Sequence, residues 1–241
     1  MRRVHLRHPQ SEDRMGEKNT IKINVESNLG SGKSTLIRKL GRIEGFTAIE
    51  EPVESWKNLK GKNMLKAIYN EEQGARGLFQ LHVLQTMVEA QLQQTQGKVR
   101  IMERSFESAW RIFTKHQQNQ KLLEDFEVEI IKDWRNTALK IPNMEESSDG
   151  TLYIRCDPKI SFKRIMERNR EEEKNISLEY IRQIHELYEQ WLVERPEKCT
   201  KPIRIVNGNR TKDKVYNDTL VAIDEMVNEI KRLNEDNTHY F

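Results

Sequence analysis

Cysteine is nearly absent from this chain. The 241 residues hold two, Cys156 and Cys199, with no CxxC spacing, which excludes a disulfide framework and fits a reducing compartment. No apolar run approaches the roughly 20 residues that span a bilayer, and no apolar stretch of the secretory kind is present. A net charge of +3, with a third of residues charged, lacks the basic excess of a dedicated nucleic-acid binder. There are no internal repeats and no low-complexity segments. An Asn-Lys-x-Asp guanine-reading motif is missing, and no apolar strand ends in the usual Walker B aspartate. What these absences leave is a soluble chain long enough for one α/β domain with a substantial core.

Residues 1–20 carry Arg2, Arg3, Arg7 and Arg14 without apolar periodicity and read as a disordered basic tail. Residues 21–241 read as a single domain. The basic first eleven residues resemble the start of a transit peptide, but Glu12, Asp13 and Glu17 argue against one. The expected location is cytoplasmic, with the mitochondrion as the alternative.

The stretch 21–40 organises the rest. Ile21-Lys22-Ile23-Asn24-Val25 alternates like a short strand, and Leu36, Ile37 and Leu40 follow at helical spacing. Between them lies Asn28-Leu29-Gly30-Ser31-Gly32-Lys33-Ser34-Thr35. Strand, glycine-rich turn and helix in that order are the setting of a phosphate-binding loop, where backbone N–H groups and a helix N-terminus face an anion. Lys33 would reach the β- and γ-phosphates and Ser34 would take a place on Mg²⁺. Ser27 stands where the full pattern has glycine, whose missing Cβ permits special backbone geometry or close phosphate approach.

A second strand, Phe46–Ile49, runs into Glu50-Glu51-Pro52. Carboxylates at the C-terminal end of a parallel strand lie where α/β sheets place ligands, and one beside a triphosphate can accept a proton from an attacking hydroxyl. Residues 63–96 read as helical, with Gln80 among apolar residues as a buried amide needing partners. A third strand, 99–102, ends in Glu103-Arg104-Ser105, which makes Glu103 the candidate acid near a metal. Helices over 106–115 and 122–139, strands at 152–155 and 203–206, and a last helix over 215–233 complete the pattern. Residues 160–192 carry Lys163, Arg164, Arg168 and Arg170 before Glu171-Glu172-Glu173. They read either as a solvated helix face or as an arginine-bearing lid that closes over phosphates.

Together these stations resemble the deoxyribonucleoside kinase family from about residue 21 to 230. The matching stretches are residues 28–34, Glu51-Pro52-Val53-Glu54-Ser55-Trp56, Phe79-Gln80, Glu103-Arg104-Ser105, and Arg164 through His185-Glu186-Leu187. Ser27 departs from the family's glycine and Met166 from a lid arginine. The resemblance implies a P-loop kinase fold, a five-stranded parallel sheet flanked by helices, and a homodimer. It implies 5′-phosphorylation of deoxynucleosides with ATP and Mg²⁺, with pyrimidines, thymidine and deoxycytidine, ahead of purines. Glu51 would be the base for the 5′-hydroxyl and Arg104 would position that hydroxyl. Ser34 and Glu103 would serve Mg²⁺, Lys33 the phosphates, and Arg168 and Arg170 the lid. Tyr69 and Glu173 would hold the 3′-hydroxyl. Gln80 would pair with the base edge, Phe113 would stack on it, and Trp56, Val83, Met87 and Ala109 would line the pocket. The rival readings are a nucleoside monophosphate kinase and a non-catalytic nucleotide switch.

Overall fold

The computed structural model describes residues 20–69, 72, 74–142, 144, 148–194 and 201–238. The basic stretch 1–19, Cys199 and residues 145–147 of the polar turn lie outside them.

The chain begins with β1 (Ile21–Ser27), turns through the glycine-rich loop and enters α1 (Lys33–Leu40). Then come β2 (Phe46–Ile49), α2 (Val53–Lys57), α3 (Met64–Tyr69) and α4 (Ala75–Gln91). The two helices expected within 63–96 are α3 and α4. Gly74, at φ 72°, stands at the N-terminus of the second, a left-handed conformation that costs glycine little. β3 (Val99–Glu103) leads into α5, which begins as Phe106–Ser108, passes through a π-helical turn at Ala109–Thr114 and finishes as Lys115–Asn119. α6 (Asp125–Ala138), β4 (Gly150–Arg155), α7 (Pro158–Arg168), a 3₁₀ turn (Glu171–Glu173) and α8 (Leu178–Leu192) follow. β5 (Ile203–Asn207) and α9 (Lys212–Thr238) close the fold.

The five strands form one parallel sheet in the order β2-β3-β1-β4-β5, with Ile21 beside Val99 and Ile23 beside Gly150 in register. A parallel sheet must be covered on both faces, and the alternation along β1 and β3 shows how. Ile21, Ile23, Val25, Val99 and Ile101 pack under α1 and α9. Met102 faces α4, α5 and α6, and Arg100 reaches across to the Ala90 carbonyl at 2.9 Å. Because β1 and β3 are central and parallel, their C-terminal ends, Ser27 and Glu103, finish side by side. Among the described residues, no helix is long and apolar enough to cross a membrane.

Candidate active site

The glycine-rich loop has the geometry its sequence demands. Gly30 and Gly32 take φ values of 73° and 93°, and Gly32 caps α1, whose first residues are Lys33 and Ser34. Ser27 needs no such freedom. It is the last residue of β1, its φ is not positive, and its hydroxyl lies 2.7 Å from that of Ser31. The Cβ at this position therefore imposes no backbone strain, and the hydroxyl ties the two ends of the loop together. Asn28 fastens the loop to α8 by donating to the Ile181 carbonyl at 2.7 Å.

At the ends of β1, β2 and β3, charged side chains converge. Lys33 Nζ donates to Glu103 Oε1 at 2.6 Å, and Ser34 Oγ donates to the same oxygen at 2.7 Å. The second oxygen of Glu103 accepts from the backbone N–H of Glu51 at 3.3 Å. Burial pushes the Glu103 carboxyl up, but the charge and hydrogen bond of Lys33 outweigh it and hold the acid at about 2. Glu51 Oε1 lies 2.9 Å from Arg104 Nε, and its other oxygen lies 3.8 Å from Lys33 Nζ. Of the two adjacent glutamates only Glu51 enters this cluster. Glu50 turns outward to an exposed pair with Arg38.

Arg104 sits at φ 62°, a left-handed backbone unusual for a residue with a Cβ. Its side chain is held from several directions. Nη1 donates to the Ser27 carbonyl at 2.9 Å and to the Tyr188 hydroxyl, and the guanidinium lies over the Phe113 ring, 4.7 Å from its centre. Tyr188 in turn donates to Glu26 Oε2 at 3.1 Å, and Glu26 Oε1 accepts from the Ser105 N–H at 2.8 Å. Glu26 and Tyr188 are wholly buried, and burial raises both of their pKa values. Burial alone would lower the Arg104 pKa, but Tyr188, Glu51, Glu26 and Glu103 outweigh it and keep the guanidinium charged.

Next to this cluster opens a cavity of about 640 Å³. Every residue singled out from the sequence for the site lines it except Glu103, which acts from beneath through Lys33 and Ser34. The loop with Lys33, Arg168 and Arg170 gives it charged and polar lining, and Trp56, Gln80, Val83, Met87, Ala109 and Phe113 give it a mostly apolar one. The Trp56 indole donates to Thr86 Oγ1 at 2.9 Å and meets the Phe79 ring edge to face, which fixes that wall. Glu173 grips Arg168 through two contacts of 2.6 and 2.5 Å, so the acid expected at the sugar and a lid arginine are partners here.

Sequence reasoning missed Tyr180, which meets Tyr69 edge to face across the cavity, and Gln117, whose buried Oε1 has no hydrogen-bond partner among the described residues. Tyr180 reads as one more apolar position of α8, and Gln117 as part of a polar helix end. Neither has a local signature.

The comparison of sequences decides the class. Residues 23–230 match the deoxynucleoside kinase family. The chain belongs to that family. It is therefore a kinase of deoxynucleosides, built on the P-loop fold that the sheet and loop display. It is 33% identical over 194 residues to human mitochondrial thymidine kinase 2, covering 80% of this chain and 72% of that one. It is 31% identical over 193 residues to a probable deoxycytidine kinase of fowlpox virus, covering 78% and 79%. To chicken deoxycytidine kinase 2 it is 29% identical over 202 residues, covering 74% and 76%. Within this deoxynucleoside kinase the charged cluster and the apolar residues line one cavity.

Proposed function

We propose that the enzyme transfers the terminal phosphate of ATP to the 5′-hydroxyl of pyrimidine deoxynucleosides, thymidine and deoxycytidine ahead of purines, as a step of nucleotide salvage. The observation that carries this is the position of Glu51, between Arg104 at 2.9 Å and Lys33 at 3.8 Å, where the phosphate loop meets the apolar pocket. Glu51 takes the proton as the 5′-oxygen attacks, Arg104 orients that oxygen, and Lys33 with the loop N–H groups offsets phosphate charge. Tyr69 and Glu173 fit the 3′-hydroxyl, while Arg168 and Arg170 close on the phosphates.

Magnesium suits the site's donors. Ser34 Oγ and the ionised Glu103 converge at 2.7 Å, hard oxygens of the kind Mg²⁺ takes together with phosphates and water. Bound there, the ion would supply charge neutralisation on the phosphates.

The base end is closed by Val83, Met87 and Ala109, all buried and all uncharged. At Met87 and Ala109 no buried charge must be matched by the base. The apolar pair leaves room for the thymine methyl, and Met87 crowds a purine. Leu78 on α4, with Phe126 and Ile130 on α6, is exposed where Gly77 packs against Glu127. Such an apolar face fits a homodimer, which sedimentation of the purified chain tests. The mitochondrial relative makes the mitochondrion the alternative to the cytoplasm, and fractionation of the full chain decides between them.

The functional test measures ADP formation with each deoxynucleoside, with nucleoside monophosphates and without acceptor. Glu51→Gln is expected to lower kcat by about two orders of magnitude or more with ATP binding nearly intact. Faster turnover of monophosphates, or near-normal turnover by Glu51→Gln, overturns the assignment.

A further inference from the structure

Thr114 sits at the end of the π-helical turn, just behind Phe113, and does not line the cavity. Its hydroxyl stands 3.0 Å from the Ala109 carbonyl and 3.3 Å from the Oε1 position of Gln80. Thr114 and Gln80 are both buried, so water does not settle how these contacts are satisfied.

Proton counting settles it. A hydroxyl has one proton to donate and lone pairs to accept with, a backbone carbonyl can only accept, and a glutamine amide has one accepting end and one donating end. With the Gln80 oxygen facing Thr114, the hydroxyl confronts two acceptors with a single proton, and one contact becomes oxygen against oxygen. With the amide turned by half a revolution, Thr114 donates to Ala109 and accepts from the Gln80 NH₂, so both contacts are hydrogen bonds. The second arrangement is favoured, because an unmet buried polar contact is unfavourable.

We propose that Thr114 is a specificity-determining residue that orients the Gln80 amide and thereby makes the enzyme choose between the two pyrimidines. The inference rests on the reading that Gln80 meets the base edge. Thymine offers a donor at N3 and an acceptor at O4. Cytosine offers an acceptor at N3 and a donor at N4. An amide held in one orientation matches one of these orders, and the other nucleoside must turn it and break the Thr114 hydrogen bond. Ring size cannot make this distinction, and apolar room for the thymine methyl does not read the order of donor and acceptor.

The test is kcat/KM for thymidine and for deoxycytidine in the wild type and in Thr114→Val, Thr114→Ala, Thr114→Ser and Gln80→Leu. The wild-type ratio is expected to depart from one by about two- to tenfold, the discrimination that one neutral hydrogen bond carries. Thr114→Val and Thr114→Ala should move the ratio toward one by that factor, and Thr114→Ser should keep it. A hydroxyl that merely braces the helix would lower both values equally. That equal loss overturns the proposal, as does a wild-type ratio near one or an unchanged ratio in Thr114→Val while Gln80→Leu alters it. If Gln80→Leu also leaves both nucleosides unaffected, the base-edge reading itself fails.

Discussion

Removing one hydroxyl, in Tyr188→Phe, tests whether Arg104 works only when clamped. The tyrosine stays protonated because burial raises its pKa well above the usual value, so it donates to Glu26 and accepts from Arg104. Phenylalanine keeps the ring stacked on Tyr153, whose centre lies 5.6 Å away, and deletes only the polar link. Glu26, fully buried, is then left with the Ser105 N–H as its remaining hydrogen bond from that network. Leaving a buried acceptor short of a partner costs about 1–3 kcal/mol. At about 2–4 °C per kcal/mol for a chain of this size, Tm should fall by about 2–12 °C. Catalysis should suffer separately. Arg104 is in a left-handed backbone conformation that costs about 1–3 kcal/mol, so its side-chain contacts must hold it in place. With one contact gone, kcat should fall about 10- to 100-fold while KM for the nucleoside changes less, because the Arg104–Glu51 arrangement matters most as the proton leaves. Steady-state kinetics and thermal melts on the same preparation give both numbers. A lowered Tm with kcat within about twofold of the wild type would refute the reasoning, since the hydroxyl would then stabilise the fold without serving Arg104.

Two further outcomes are expected. The Glu103 carboxyl is held at about 2 against an ordinary 4.5, so its contribution is fully present above pH 4.5 and is lost as pH falls toward 2. The stability gap between the wild type and Glu103→Gln should shrink by about 2 kcal/mol between pH 4.5 and 3 in denaturant titrations, and a gap independent of pH contradicts the Lys33–Glu103 pairing. Ser27→Gly should leave KM for ATP no better and lower stability by about 1 kcal/mol, because it deletes the Ser27–Ser31 contact without relieving strain. A markedly lower KM would show that the Cβ crowds the phosphates after all.

The strands and the glycine loop were legible because their signals are local. Alternation in 21–25, the short apolar run Phe46–Ile49 and the order strand, turn, helix each lie within a few residues. The choice of Glu51 over Glu50 came from the resemblance and not from local pattern, since both follow β2, and the structure shows Glu50 turned out to Arg38. Glu26 and Tyr188 stand 162 positions apart, and nothing around either announces the other. The π turn of α5 was equally hidden. Ala109-Trp110-Arg111-Ile112-Phe113-Thr114 reads as ordinary helix, and the wider turn arises from packing.

A Cβ on Gly30 would lie 2.4 Å from the Ser161 carbonyl oxygen and 2.8 Å from a side-chain carbon of Ile165. The phosphate loop thus rests directly on the root of α7. Arg164, one helical turn further along, donates to the Gly208 carbonyl at 2.9 Å and ties that root to the turn after β5. Loop, helix root and turn are bolted into one fixed jaw. Asn169, at φ 47°, ends the helix, and beyond it Ile176 and Ile181 join Ile165 and Leu29 in one apolar cluster. Under the proposed lid reading, Asn169 separates Arg168 on the helix from Arg170 beyond it. The Arg168–Glu173 pair bridges that separation, so on the same reading its two contacts hold both arginines' segments together.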